Sequence, residues 1–272
     1  MSDNRAIGVF DSGLGGLTVV KELKKVLPNE NIVYFGDTGR VPYGIKSKET
    51  IRRYTVEDEN FLLSKDVKLI IAACGTVSSV AGDISDNLPV PFFEVVSHSS
   101  REAAKKTKNN IIGVIGTSAT VKSQKHFEYL SNISKDISVV SSACTLFVPL
   151  VEEGWIDEND EVVIETVKRY LEPIKNAKAD TLILGCTHYP VLSKAIEKVM
   201  GSNVKLINSG TATANAVKEY LENNNSLNNS KNRGNQSFYV SDKPNSFCTI
   251  ASILLGEKID DTKVEQVDLS SI

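Results

Sequence analysis

Apolar residues fall into short runs rich in Val, Ile and Phe, and these alternate with stretches that repeat at helical spacing. AIGVF (6–10) predicts a strand ending in a Gly-rich turn, after which Leu17, Val20, Leu23 and Leu27 recur with a helical period up to Pro28. NIVYF (31–35) predicts a second strand, and Ile51, Tyr54, Phe61 and Leu62 a helix. VKLIIAAC (67–74) is a continuous apolar run but for Lys68, as expected for a strand covered on both faces. Val77, Val80, Ala81, Ile84 and Leu88 predict a helix, and PFFEVV (91–96) another strand. Strands alternating with helices argue for an α/β fold with mainly parallel sheets flanked by helices.

The rhythm then restarts. IGVIGTSAT (112–120) echoes IGVFDSGLG (7–15), DISVVSSA (136–143) echoes the second strand, and TLILGCT (181–187) echoes LIIAACGT (69–76). Ordered self-similarity of this kind indicates two related α/β lobes. Val163, Val167, Tyr170, Leu171 and Ile174 mark a long helix between the second and third echoes. The Asn/Ser-rich stretch 221–237 reads as an exposed, mobile loop. SFYVSD (237–242) predicts a late strand, and NSFCTIASILLG (245–256) a helix with Ser246 near its N-cap and Gly256 as its stop.

Composition narrows the function classes. The 272 residues carry a net charge of −3 with both signs well mixed, so no basic stripe offers itself to nucleic acid. No apolar run approaches the roughly 20 residues of a membrane span, and MSDNRAIGVF lacks a secretory h-region, so a cytoplasmic location is expected. In a reducing compartment Cys74, Cys144, Cys186 and Cys248 should be thiols. None forms a C-x-x-C pair and the three histidines are scattered, which argues against a metal site. His98 and His126 sit in polar helical stretches and are expected to be solvated.

The chemistry concentrates at two strand ends. Cys74 and Cys186 hold equivalent places in the two echoes, each ending a buried strand before a helix. Ligands of open α/β sheets bind beyond the carboxyl ends of the strands, where helix N-termini favour negative charge and lower a thiol's pKa. A lone strand-end cysteine is more often core filler. Two facing ones, with the hydroxyls of Thr76 and Thr187 beside them, fit a pair of acid/base groups on opposite faces of one carbon. His188, two residues after Cys186, can tune that thiol or relay its proton. Asp11 is either a helix cap or part of the site, and the GLGG that follows Ser12 exposes amides able to hold a carboxylate. That turn is neither a dinucleotide fingerprint nor a Walker loop.

The stretches GVFDSGLGGLTV (8–19), YFGDTGRVPYG (34–44), GVIGTSATV (113–121), LFVPLVEEG (146–154), LGCTHYP (184–190) and FYVSDKPNSFCTIASILLG (238–256) resemble the glutamate racemases, and the resemblance covers nearly the whole chain. It implies two pseudo-symmetric α/β lobes with the active site in the interlobe cleft. It implies that the C-terminal segment returns to the first lobe, giving residues 1–97 plus 210–272 and residues 98–209. Cys74 and Cys186 would be the acid/base pair, acting on the D- and L-enantiomers respectively. Asp11 and His188 would assist them, with Glu152 on the side of His188. Substrate-holding positions would be Asp11, Ser12, Tyr43, Gly44, Gly75, Thr76, Thr117, Thr120, Thr187 and His188. The resemblance implies no cofactor and no metal, glutamate as the small-molecule partner, and D-glutamate for peptidoglycan as the product. It leaves room for a homodimer. Three departures stand out: Gly75 where the family usually has Asn, Thr145 in place of a proline, and Asn208 in place of an aspartate. A racemase for aspartate or another acidic amino acid, and a non-catalytic ligand-binding member of the fold, are the alternatives.

Overall fold

Two sheets with the same internal strand order build the protein. The computed structural model describes residues 2–243, 247–259 and 263–269. In the first sheet β1 (Ile7–Asp11), β2 (Ile32–Gly36), β3 (Leu69–Ala72) and β4 (Phe92–Glu94) lie in the order β2-β1-β3-β4. In the second, β5 (Ile111–Gly116), β6 (Ser138–Ala143), β7 (Thr181–Leu184) and β8 (Lys205–Asn208) lie in the order β6-β5-β7-β8. The echo read in the sequence is therefore a repeated topology. β9 (Gln236–Val240) and β10 (Val264–Gln266) extend the first sheet beyond β2. Every pairing is parallel.

The central strands β1, β3 and β7 are buried along their whole length. Helices cover both faces of such sheets, so both faces must be apolar. Period-2 alternation divides β1 between them: Ile7 and Val9 join one core with Leu17, Val20 and Leu23 of α1 (Leu17–Val26). Phe10 joins another with Phe61 and Leu62 of α2 (Lys48–Ser64). None of the described helices is long and apolar enough to cross a membrane.

Several elements differ from expectation. The helix read over 77–88 is a short α3 (Gly75–Val80), a break at Ala81 and a 3₁₀ stretch over Gly82–Asn87. Gly82 and Asp83 are poor helix formers at the break. The strand read over 91–96 stops at Glu94, whose carboxylate accepts the N–H groups of Val96 and Ser97 at 2.6 and 2.8 Å and starts α4 (Val95–Lys106). Pro190 opens a 3₁₀ turn, Tyr189–Leu192, ahead of the α-helix Ser193–Met200. The late helix spans Phe247–Leu255 and stops at Gly256 in the left-handed region; Ser246 lies outside the described residues.

The Asn/Ser-rich stretch is a tethered loop. The helix Ser209–Asn223 consumes its start, capped by Asn208, whose Oδ1 accepts the N–H of Gly210 at 2.9 Å. An aspartate would cap in the same way, which accounts for the tolerance of asparagine here. Further on, Asn228 donates its N–H to Glu30 at 2.8 Å, Gly234 to the Pro28 carbonyl at 3.1 Å, and Asn235 to the Asn31 side chain at 2.9 Å. Glu30 pairs at 2.6 Å with Lys68, and both side chains are 2% exposed. Lys68 also donates to the Ser226 and Asp3 carbonyls at 2.8 Å each.

Candidate active site

Because all strands in each sheet run the same way, the loops that leave β1, β3, β5 and β7 emerge on one edge of each sheet. The two edges enclose a cavity of about 340 Å³, lined from the first lobe by Asp11, Ser12, Tyr43, Gly44, Cys74, Gly75 and Thr76. The second lobe contributes Thr117, Glu152, Cys186, Thr187 and His188. Thus Cys74 and Cys186 border a single cavity, and only 5% and 9% of each residue is exposed. Of the residues expected at the site, Thr120 alone is not in the wall. It lies one hydrogen bond behind, 3.1 Å from the Thr117 hydroxyl.

The two thiols have different surroundings. Cys74 donates to the Ser12 hydroxyl at 3.4 Å. Burial, then the nearby Asp11 carboxylate, push its pKa up to about 12, so it rests as a neutral thiol. Asp11 is itself buried, which raises its pKa against the pull of His188 and of the Gly16 and Gly13 amides. Its Oδ2 accepts the Gly13 N–H at 3.0 Å, while Oδ1 has no hydrogen-bond partner among the described residues. An orphaned buried carboxylate oxygen is costly and calls for a functional account.

On the other side stands a cation. Burial lowers the pKa of His188, but hydrogen bonds to Cys186 and Glu152 outweigh it and hold the ring at about 10, as imidazolium near neutrality. Its Nε2 donates to Glu152 Oε1 at 3.0 Å. A positive charge against a sulfur stabilises negative charge on it. The resting site is therefore asymmetric, with a protonated acid at Cys74 and a cation-backed sulfur at Cys186. For a thiol with a pKa near 12 the thiolate fraction rises about tenfold per pH unit below that value. Iodoacetamide modification of Cys74, followed by peptide mass spectrometry, should rise about tenfold per unit between pH 7 and 9. A plateau in that range would contradict the assignment.

Hydroxyls join the lobes. Thr76 and Thr117 are 3.0 Å apart across the cleft, and Thr117 also caps the short helix Ser118–Ser123 by accepting the Thr120 N–H at 3.2 Å. Thr18 donates to the Thr187 carbonyl at 2.8 Å. Tyr43 contributes its ring to the wall, but its hydroxyl points away, into Asp37 and Asp58 beside Arg40. Thr145, the residue in place of a proline, lines the cavity while its hydroxyl meets that of Tyr170 at 3.0 Å. Val41, Pro42, Val148 and Pro149 also line the cavity, and nothing in their apolar character marks them in the sequence.

The two remaining histidines are not solvated as expected. His126 is buried, with Nδ1 2.9 Å from the Ser100 hydroxyl, and His98 stacks on Phe93 with ring centroids 5.6 Å apart. Burial lowers both to about 4, so both are neutral. Cys144 is fully buried in the core, in keeping with a structural role, and Cys248 is partly buried against it.

The fold and the cavity define a class: a two-lobed, parallel-sheet α/β protein with a thiol from each lobe on one enclosed space. The family model described as Asp/Glu/hydantoin racemase matches residues 7–217. The chain is 44% identical over 268 residues to a glutamate racemase of Geobacter metallireducens, covering 98% of each chain. Its structure is similar to that of glutamate racemase from Francisella tularensis in complex with D-glutamate, with a TM-score of 0.91 and 38% identity over 99% of this chain and 100% of the other. It is also similar to glutamate racemase from Thermus thermophilus in complex with β-chloro-D-alanine, with a TM-score of 0.88 and 42% identity over the whole of both chains. The chain belongs to the Asp/Glu/hydantoin racemase family.

Proposed function

We propose that this protein interconverts L- and D-glutamate without a cofactor, by proton transfer between two thiols, and so supplies D-glutamate for peptidoglycan. The observation that carries this reading is the single cavity bounded by Cys74 and Cys186, with a carboxylate behind one and an imidazolium behind the other. The 42–44% identity to several glutamate racemases supports glutamate as the substrate. The lobes are taken as residues 1–97 with 210–272, and residues 98–209, a division supported by the place of β9 and β10 in the first sheet.

In the L-to-D direction, Cys186 Sγ removes the α-proton and Cys74 delivers its own to the opposite face. In the reverse direction the roles exchange: Asp11 takes the proton of Cys74, whose Sγ then removes the α-proton, while His188 gives its proton to Cys186, which delivers one to the opposite face. The α-proton is very weakly acidic, so the developing carbanion needs fixed donors and little water. The hydroxyls of Ser12, Thr76, Thr117 and Thr187, residues that line the cavity, would hold the two carboxylates. Circular dichroism tests the substrate. Pure L-glutamate incubated with the protein should lose its ellipticity without added cofactor, whereas L-aspartate should lose it at least about tenfold more slowly. Faster loss with L-aspartate overturns the choice of glutamate.

A further inference from the structure

The lobes touch around the cavity through three glycines of the first lobe. A Cβ on Gly15 would lie 2.1 Å from the Thr187 hydroxyl, and one on Gly44 3.2 Å from Thr117 Cβ. The obstacles to both are side-chain atoms, those to Gly15 including the His188 ring at 2.6 Å, and the contact at Gly44 is only slightly tight. Gly75 is different. A Cβ there would lie 2.2 Å from the main-chain carbonyl oxygen of Gly185 and 3.3 Å from its carbon. Gly185 cannot yield, because its N–H is bound to the Ile115 carbonyl at 2.7 Å and its other face meets the buried His126 ring. Gly75 and Gly185 each immediately adjoin a cavity thiol, Cys74 and Cys186. This contact therefore fixes the separation of the two lobes next to both sulfurs.

We propose that Gly75 sets how far the cleft closes: lacking a side chain, it lets the start of α3 meet the Gly185 carbonyl, and any larger residue holds the lobes apart. The asparagine that the family resemblance leads one to expect at this position does not fit this closed form. Gly75 is thus a positioning residue. Separating the lobes would also break the Thr76–Thr117 bridge and admit water between the thiols. This inference rests on the two-thiol reaction proposed above for its effect on rate, but not for its effect on closure.

The test compares Gly75→Ala and Gly75→Asn with Gly82→Ala, a control at a glycine whose added Cβ meets nothing within 4 Å. Alanine favours the helix at position 75, so helix propensity does not penalise that variant. Displacing reacting groups by about 1 Å can cost about 10²-fold. Both Gly75 variants should lose about 10²-fold in kcat with a much smaller change in KM. Iodoacetamide should modify Cys74 and Cys186 at least about tenfold faster in them, while Gly82→Ala matches the wild type in both assays. Unchanged modification rates in the Gly75 variants, or an unchanged or raised kcat, overturn the proposal. If the wild type does not racemise glutamate, the functional reading fails, yet the modification rates still decide closure. Independently of any variant, a crystal structure of the wild type with bound glutamate should show Gly75 Cα packed on the Gly185 oxygen. A water-filled gap there overturns the proposal too.

Discussion

Replacing Cys74 or Cys186 by serine should lower racemisation by about 10²–10⁴-fold, the range that a positioned acid or base contributes. A serine hydroxyl neither ionises near neutrality nor releases its proton as readily as a thiol, although it fills almost the same space. The fold should survive, because each position holds a small side chain at a strand end. The two losses should look alike in racemisation and differ in exchange. Enantiomers have equal energy, so kcat/KM must be equal in the two directions for any variant, and no one-sided effect can appear there. It appears in α-proton exchange instead. In D₂O, Cys74→Ser should exchange the α-proton of L-glutamate only, and Cys186→Ser that of D-glutamate only, as followed by proton NMR. Exchange of both enantiomers by either variant would place the base elsewhere.

The second large effect concerns stability. Lys68→Met removes the cation paired with Glu30 in a site where both side chains are almost wholly buried. Glu30 then keeps the N–H of Asn228, and the Asp3 and Ser226 carbonyls lose this donor. Breaking one half of a buried pair costs about 3–5 kcal/mol. Guanidinium denaturation should show a loss of that size, and hydrogen exchange should show residues 224–235 released. Adding Glu30→Gln should recover part of the loss, since the uncompensated buried charge is then gone. A loss below about 1 kcal/mol would mean that the loop is held by its other contacts.

Much of the site was legible because it sits on the most regular part of the fold. The continuous apolar runs of β3 and β7 located Cys74 and Cys186, and the parallel topology brought their carboxyl ends to one cavity. What was not legible depends on local exceptions to the apolar period and on partners distant in sequence. The break at Ala81 follows from the poor helix formers Gly82 and Asp83, and the start of α4 from the bond of the Glu94 carboxylate to main-chain N–H groups, neither of which hydrophobic period registers. The tether of the Asn/Ser-rich loop runs to Glu30 and Lys68, far earlier in the chain. For His126 the sequence does carry a signal of burial: it stands four residues before buried Leu130 on the helix Lys125–Ile133, and so on its inner face. For Tyr43 the position was legible and the direction was not, since the buried Asp37 and Asp58 turn its hydroxyl away from the cavity. Gly75 read as a lost amide, and its contact with Gly185 appears only when the lobes are seen together.

The central claim is that two sulfurs serve opposite faces of one α-carbon, and isotope placement during the first turnovers in D₂O tests it most directly. Starting from L-glutamate, early D-glutamate should carry solvent deuterium at the α-position while the recovered L-glutamate retains its protium. Deuterium appearing equally in recovered substrate and product, or D-glutamate that keeps its original proton, would mean that a single group works both faces.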